Sequence, residues 1–225
     1  MYEEWPSRLD GAVAWTRTPT SGAVRPVLPD GCMDLLWNGD RLLVAGPDTR
    51  AHLPADPPAA WAGLRLYPGT APALLGVPAH ELRDRRVELA DLWPADEVRR
   101  LRARVAAAPC PATALEDIAR GRAATPDPVL RHLVAALDAG RPVARTADEL
   151  GLGARQLHRR SLHSFGYGPK TLARVLRLQR ALTLARRGLP YADTAARAGY
   201  SDQAHLARDV RQFTGTTLTE LLRPA

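Results

Sequence analysis

A twelve-residue segment of this chain occurs twice. GRPVARTADELG (140–151) lies over GLPYADTAARAG (188–199) at a constant offset of 48, with six of the twelve positions identical. Such self-similarity constrains the fold more than any single motif, because each copy must build the same local unit. Pro142 and Pro190 stand near the first turn of a helix, where the missing N–H costs nothing. Small alanines follow at close-packing positions, and Gly151 and Gly199 end each helix where φ > 0 is needed. After each Gly the pattern predicts a second helix, Ala154–Phe165 and Asp202–Phe213, closed by Gly166 and Gly215. A short helix, a Gly-containing turn and a second helix make a helix-turn-helix. Here there are two of them in register.

Charge points the same way. Residues 127–225 hold 15 Arg plus Lys170 against 8 Asp+Glu, a balance of +8, whereas residues 1–126 hold 15 Arg against 16 acids, a balance of −1. A basic excess confined to one region is the footprint of a polyanion binder, most often nucleic acid. With Leu157, Ser161 and Phe165 turned inward, the second helix of the first copy presents Arg155, Gln156, His158, Arg159 and His163. With Leu206, Val210 and Phe213 inward, the second copy presents Gln203, Ala204, His205, Arg208 and Arg211. Arg pairs with guanine O6 and N7, and Gln with adenine N6 and N7, in the major groove. Arg155, Gln156, His158, Arg159, Gln203, Ala204, His205 and Arg208 are therefore the candidate base contacts. Between the copies, Lys170–Arg187 predicts a helix about 27 Å long, a spacer suited to recognition helices about one DNA turn apart. Lys170, Arg174, Arg177 and Arg180 are expected on its outer side. Lys170 and Arg174, with Arg160 and Arg211, are the candidate phosphate contacts.

The N-terminal half differs in kind. All five tryptophans fall within the first 93 residues, among turn signals at 29–31, 38–40, 46–48, 57–58 and 68–69. The short runs between them, Ala12–Thr18, Arg25–Leu28, Met33–Trp37, Arg41–Ala45 and Ala62–Tyr67, predict strands of an antiparallel sandwich or small barrel. Asn38-Gly39-Asp40 is the clearest hairpin turn. From about residue 71 the period becomes helical, with short turns at Ala71–Gly76 and Ala79–Leu82 and helices at Ala95–Ala107 and Ala112–Arg120. Gly121–Pro128 reads as a boundary. The expected class is α+β: a β-rich region over 1–75, a helical connector over 76–126, and an all-α region of about seven helices over 127–225.

Other chemistry finds little purchase. Cys32 and Cys110, 78 positions apart, form no disulfide framework and suggest reduced thiols in a cytoplasmic protein. The acidic, polar start is read as neither signal nor transit peptide, and no apolar run approaches the roughly 20 residues of a membrane span. His52 with Asp48 or Asp56 lacks metal-ligand spacing, and neither hydrolase, phosphate-loop nor zincin motifs occur, so no metal, cofactor or catalytic residue is expected. Trp15, Cys32, Trp37, Trp61, Arg65 and Tyr67 form a candidate effector pocket, beside the plainer reading of a Trp-rich core or dimer surface. Cys32 reads more simply as a small buried residue than as a sensor thiol.

The segments ADELGLGARQLHRR (147–160) and AGYSDQAHLARDVRQFTG (198–215) resemble the AraC/XylS family of bacterial transcription regulators. VLPDGCMDLLWNG (27–39) and residues 63–93 resemble N-terminal domains of a poorly characterised subgroup of it. The resemblance implies a seven-helix, double helix-turn-helix DNA reader under a cupin-like β-domain that senses a small molecule or dimerises. By the resemblance, base contacts fall on Arg155, His158, Arg159, Gln203, Ala204 and Arg208. Double-stranded DNA, RNA polymerase, a small effector and a second copy of the chain are the implied partners. The sequence departs from the family at Ser161 and Val210, where an aromatic is common, at Gly153, where a polar cap is common, and at Leu162, where a basic or polar residue is common. Two rival readings remain: a DNA-directed alkyl-transfer repair protein with Cys32 as acceptor, and a ligand-independent regulator whose N-terminal half dimerises.

Overall fold

The structure, a computed structural model, describes residues 1–18, 26–54, 60–122, 125 and 127–223. Arg25, Asp56 and the expected turn at Pro57-Pro58 lie outside them, as do three residues of the expected boundary at 121–128.

Six strands form one antiparallel sheet in the order β1-β2-β5-β3-β4-β6. These are β1 (Tyr2–Pro6), β2 (Val13–Arg17), β3 (Met33–Trp37), β4 (Leu42–Ala45), β5 (Trp61–Leu66) and β6 (Arg86–Glu88). The expected hairpin joins β3 to β4: Gly39 takes φ 94°, and the Asn38 side chain accepts from the N–H groups of Asp40 and Arg41. Alternation decides the faces. Ala14, Met33, Leu35, Trp37, Ala62, Leu64 and Leu66 are buried in the N-terminal core, packed with helices α1 (Ala71–Leu75), α2 (Ala95–Ala106) and α3 (Pro111–Arg120). Helix α3 buries Ala112, Ala114, Leu115, Ile118 and Ala119 and packs on β2, β3 and β5.

Three expectations change here. Strands β1 and β6 were not foreseen. They are edge strands of five and three residues that bury little of their own surface, so neither carries a strong alternation. The run expected as a strand at Arg25–Leu28 contributes a single bridge, Val27 to His52. Residues 76–126 supply β6 and the helices that cover the sheet, so they belong to the N-terminal core as well as leading to the next region.

Beyond residue 127, seven helices follow among the described residues: α4 (Pro128–Asp138), α5 (Val143–Glu149), α6 (Ala154–Phe165), α7 (Pro169–Arg186), α8 (Tyr191–Ala198), α9 (Gln203–Thr214) and α10 (Leu218–Leu221). They share one core, and α7 runs through it, burying Leu172, Val175, Leu176, Leu178, Ala181, Leu182 and Ala185. No helix among the described residues is long and apolar enough to cross a membrane.

The two halves are packed together. The main-chain N–H of Ala51 donates to the Phe213 carbonyl at 2.6 Å, the Gln179 side chain donates to the Pro29 carbonyl, and Arg83 donates to the Gly166 carbonyl at 3.3 Å. Arg131 of α4 pairs with Asp10 at 2.7 Å.

Candidate nucleic-acid interface

Both repeats fold as the glycines require. Helices α5 and α8 follow Pro142 and Pro190 directly, and Gly151, Gly166, Gly199 and Gly215 take φ of 64°, 80°, 86° and 74°. Thr146 and Thr194, the same position in each copy, are fully buried, their hydroxyls donating to the carbonyls of Pro142 and Leu189.

The second helix of each unit buries the residues expected to turn inward: Leu157, Ser161 and Phe165 on α6, and Leu206, Val210 and Phe213 on α9. The buried Ser161 hydroxyl has no hydrogen-bond partner among the described residues, where an aromatic side chain would have filled the site with apolar surface. The starts of the two helices differ. Asp202 caps α9 by accepting from the His205 N–H at 2.6 Å, whereas Gly153 offers α6 no side-chain cap.

On the outer faces Arg155, Gln156, His158, Arg159, Gln203, Ala204, Arg208 and Arg211 are exposed, with Arg160 half-buried and Lys170 exposed at the start of α7. None of these cations is in an ion pair among the described residues. Two histidines are less free than expected. The His158 ring lies against Gly168, where a Cβ would stand 2.8 Å from it. His205 is half-buried, edge-on to Tyr200 with centroids 5.1 Å apart, its Nδ1 3.1 Å from the Ser201 hydroxyl. Arg159, Arg160 and His163 line a cleft of about 330 Å³ with Asp127, Leu130 and Ser164.

The spacer arginines turn out differently from the expectation of an outer row. Arg174 reaches Asp209 of α9 at 2.6 Å and Gln212, and lies 4.8 Å over the Phe213 ring. Arg177 reaches the other oxygen of Asp209 at 3.1 Å and lies 4.4 Å over Tyr200. Arg180 donates to the carbonyls of Leu137 and Ala198, at the C-terminal ends of α4 and α8. A cation there satisfies carbonyls left open by both helices. All three arginines hold helices together, because each lies half-buried on α7 within reach of an acceptor on a neighbouring helix.

Asp209 escaped the sequence reading. It is 5 % exposed, and its carboxyl titrates below its ordinary value because Arg174 and Arg177 outweigh the cost of burial. The signal was present: Leu206, Asp209, Val210 and Phe213 share one stripe of α9, and an acid on an apolar stripe needs a buried partner.

The candidate effector residues divide. Trp15, Trp61 and Arg65 lie on the sheet face opposite the helices, as the pairings Trp15↔Gly63 and Asp34↔Arg65 require. Trp37 points the other way, into the core, since it pairs with Leu42 and Ala62. Tyr67 lies just past β5, packed against the C-terminal core with Arg131 5.1 Å over its ring. The outer face carries a polar cluster. Trp15 donates to Asp34 at 2.8 Å, Arg65 approaches Asp30 at 3.2 Å and Asp34 at 3.9 Å, and Asp30 accepts from the Cys32 N–H. Burial, with Asp30 nearby, pushes the Asp34 carboxyl up to about 6 against the pull of Arg65. Burial and the same two carboxylates push the Cys32 thiol well above its ordinary value. A reactive thiol needs the opposite surroundings, so nothing around Cys32 favours it as an alkyl acceptor.

Residues 146–224 match the family described as a helix-turn-helix domain, and residues 12–88 match a family described as a domain of unknown function (DUF6597). A comparison with curated proteins found no match. Among solved structures, ToxT K231A from Vibrio cholerae strain SCE256 is 11% identical, with 96% of this chain and 98% of that chain covered and a TM-score of 0.51. ToxT from Vibrio cholerae O395 bound to (E)-4-(8-methylnaphthalen-1-yl)but-3-enoic acid is 9% identical, over 94% of this chain and 97% of that one, with a TM-score of 0.50. A probable AraC family transcriptional regulator from Rhodopseudomonas palustris CGA009 is 28% identical over 44% of this chain and all of that one, with a TM-score of 0.38. The likeness to ToxT is one of fold. Two helix-turn-helix units built on one central helix place residues 146–224 in the helix-turn-helix domain family, and their union with an antiparallel sheet gives the chain a fold similar to that of ToxT.

Proposed function

We propose that the chain is a sequence-specific regulator in which α6 and α9 enter successive major grooves of one operator. Arg155, Gln156, His158 and Arg159 read bases in the first groove, and Gln203, Ala204 and Arg208 in the second, with His205 bracing the start of α9 against Tyr200. Arg160, Lys170 and Arg211 meet phosphates, while Arg174 keeps α9 seated on α7. The observation that carries this reading is that, among the described residues, every cation on the outer faces of α6 and α9 is without an ion pair, while Arg174, Arg177 and Arg180 of the spacer helix are engaged internally. Unpaired, exposed Arg on two equivalent helices is the arrangement that base and phosphate contact needs.

In this proposal the working division of the chain falls near residue 126, and the protein acts in the cytoplasm as a homodimer with RNA polymerase as a partner. Residues 1–126 govern the DNA reader through a small effector or through dimerisation. The effector face is that of Trp15, Trp61, Arg65 and Cys32. A carboxylic acid like the one bound to ToxT would meet one arginine there and also Asp30 and Asp34, so the chemistry of this face favours a ligand that is neutral or cationic.

Gel-shift titration on duplexes from the chain's own promoter tests the DNA reading. Arg159→Ala combined with Arg208→Ala is expected to abolish specific binding, and unchanged specific affinity would remove the assignment of these helices. Thermal shift with a panel of amines and neutral small molecules, run beside light scattering, separates an effector from dimerisation alone.

A further inference from the structure

Helix α6 packs more closely on the short 3-10 helix Ala79–Glu81 of the N-terminal half than on any helix of its own half. The fit is tight at its C-terminal end. A Cβ on Gly166 would stand 2.5 Å from the Pro47 ring and 3.2 Å from the Ala79 carbonyl, and one on Gly69 would stand 2.8 Å from the Phe165 ring. Arg83 closes the junction by donating to the Gly166 carbonyl. These four residues come from three separate stretches of the N-terminal half, and they converge on the last turn of α6.

Helix α9 is placed otherwise. Its neighbours are α7, α8 and α10, and Asp209 bolts it to Arg174 and Arg177. Its backbone bond to the N-terminal half is the one from Ala51 to Phe213. The spacer helix also leans on the N-terminal half, through Gln179 to Pro29 and through Leu172 against Gly31. That contact is shared by both units, because α7 carries both. The asymmetry therefore lies in α6.

These contacts do not cover the reading surface. Arg155, Gln156, His158 and Arg159 stand exposed on the first two turns of α6, away from the Phe165–Gly166 end that the N-terminal half grips. A grip on one end that leaves the other free holds the helix in position and does not hide it. Small displacements of a recognition helix change which base edges its side chains can reach, because bidentate pairing depends on geometry.

We propose that Pro47, Gly69, Ala79 and Arg83 are positioning residues for the first recognition helix, so that the N-terminal half tunes base reading in one groove of the operator and leaves the other unchanged. This rests on the DNA-reading proposal above. It means that a signal received by residues 1–126 is delivered to half of the binding site. A sensor that merely brought two copies together would alter both halves equally.

The test uses the full-length chain. Duplexes are first selected from random sequence with the wild-type protein, and each half-site is assigned by the base preference lost in Arg159→Ala or in Arg208→Ala. Affinities of Arg83→Ala/Pro47→Ala are then measured on the selected duplex and on duplexes scrambled in either half. We expect about a tenfold loss in discrimination at the half-site of α6, unchanged discrimination at that of α9, and an unaltered spacing between the two. Asp209→Asn serves as the opposite arm, with its loss confined to the half-site of α9. Equal loss at both half-sites, or none at either, in Arg83→Ala/Pro47→Ala overturns the positioning proposal while leaving the DNA reading intact. Failure of the wild-type protein to select any sequence overturns both. Where the double variant unfolds early on heating, Arg83→Lys and Arg83→Ala alone replace it, with restored discrimination in the lysine variant as the supporting outcome.

Discussion

Arg174 of α7 and Asp209 of α9 meet at 2.6 Å, across 35 residues of chain, with the carboxylate almost wholly enclosed. Arg177 takes the second oxygen, so one acid holds two arginines of the spacer helix. Removing a buried acid leaves its cations uncompensated. Asp209→Ala is expected to destabilise the chain by roughly 2–4 kcal/mol, read by urea denaturation, with Asp209→Asn losing less. The carboxyl titrates below its ordinary value in the folded state. Its stabilising share is therefore complete at neutral pH and falls as pH drops through the ordinary value and below. The variant's deficit should shrink at low pH, and a deficit independent of pH would contradict this.

Asp34 works in the opposite sense. Its carboxyl is raised from 3.8 to about 6, chiefly by burial. The folded chain then keeps a proton that the unfolded chain has already released, so stability falls as pH rises from about 4 to about 6 and levels off above. Asp34→Asn should flatten this slope and gain about 1–3 kcal/mol over wild type at pH 8 relative to pH 4. Denaturation curves at a series of pH values check it, and parallel profiles for the two proteins would refute it.

Gly63 is required by a neighbour. The Trp15 indole crosses the adjacent strand where a Cβ on Gly63 would stand 2.2 Å from it, too close for any side chain. Gly63→Ala should displace the indole, break its bond to Asp34 and destabilise by about 1–3 kcal/mol. A blue-shift or red-shift of tryptophan emission in the folded variant would report the displaced ring.

The uncapped start of α6 offers a gain. Gly153 has φ −64° and ψ 151°, a conformation open to any residue, with nothing near its missing Cβ. Gly153→Ser supplies a cap and lowers the entropy of the unfolded chain, and is expected to stabilise by about 0.5–1 kcal/mol. Melting temperature reads the gain, and DNA affinity should stay within about twofold of wild type.

The repeat at 140–151 and 188–199 made the C-terminal half legible from sequence. Helix periods, glycine ends and inward residues such as Leu157, Leu206 and Phe213 are local properties, and local patterns carry them. The sandwich-like alternation of the N-terminal half was legible at β2, β3, β4 and β5. It was silent at β1 and β6, where short edge strands bury too little to leave a pattern. The expected pocket was legible in part. Alternation within β3 sets Trp37 beside Met33 and Leu35 on the core face, but only the pairing of β5 with β2 and β3 brings Trp15, Asp34 and Arg65 together.

Sequence by itself determined that this chain builds two equivalent helix pairs with a basic excess, because backbone propensity, capping and amphipathic period act within a few turns of helix. The tertiary structure decided which cations remain free to meet DNA. Among the described residues Arg159 and Arg208 have no ion-pair partner, where Arg174, Arg177 and Arg180 are already spoken for by Asp209 and by carbonyls of other helices. A charge reveals its partner only when distant segments have been brought within hydrogen-bonding reach, and no periodicity in the chain encodes that distance.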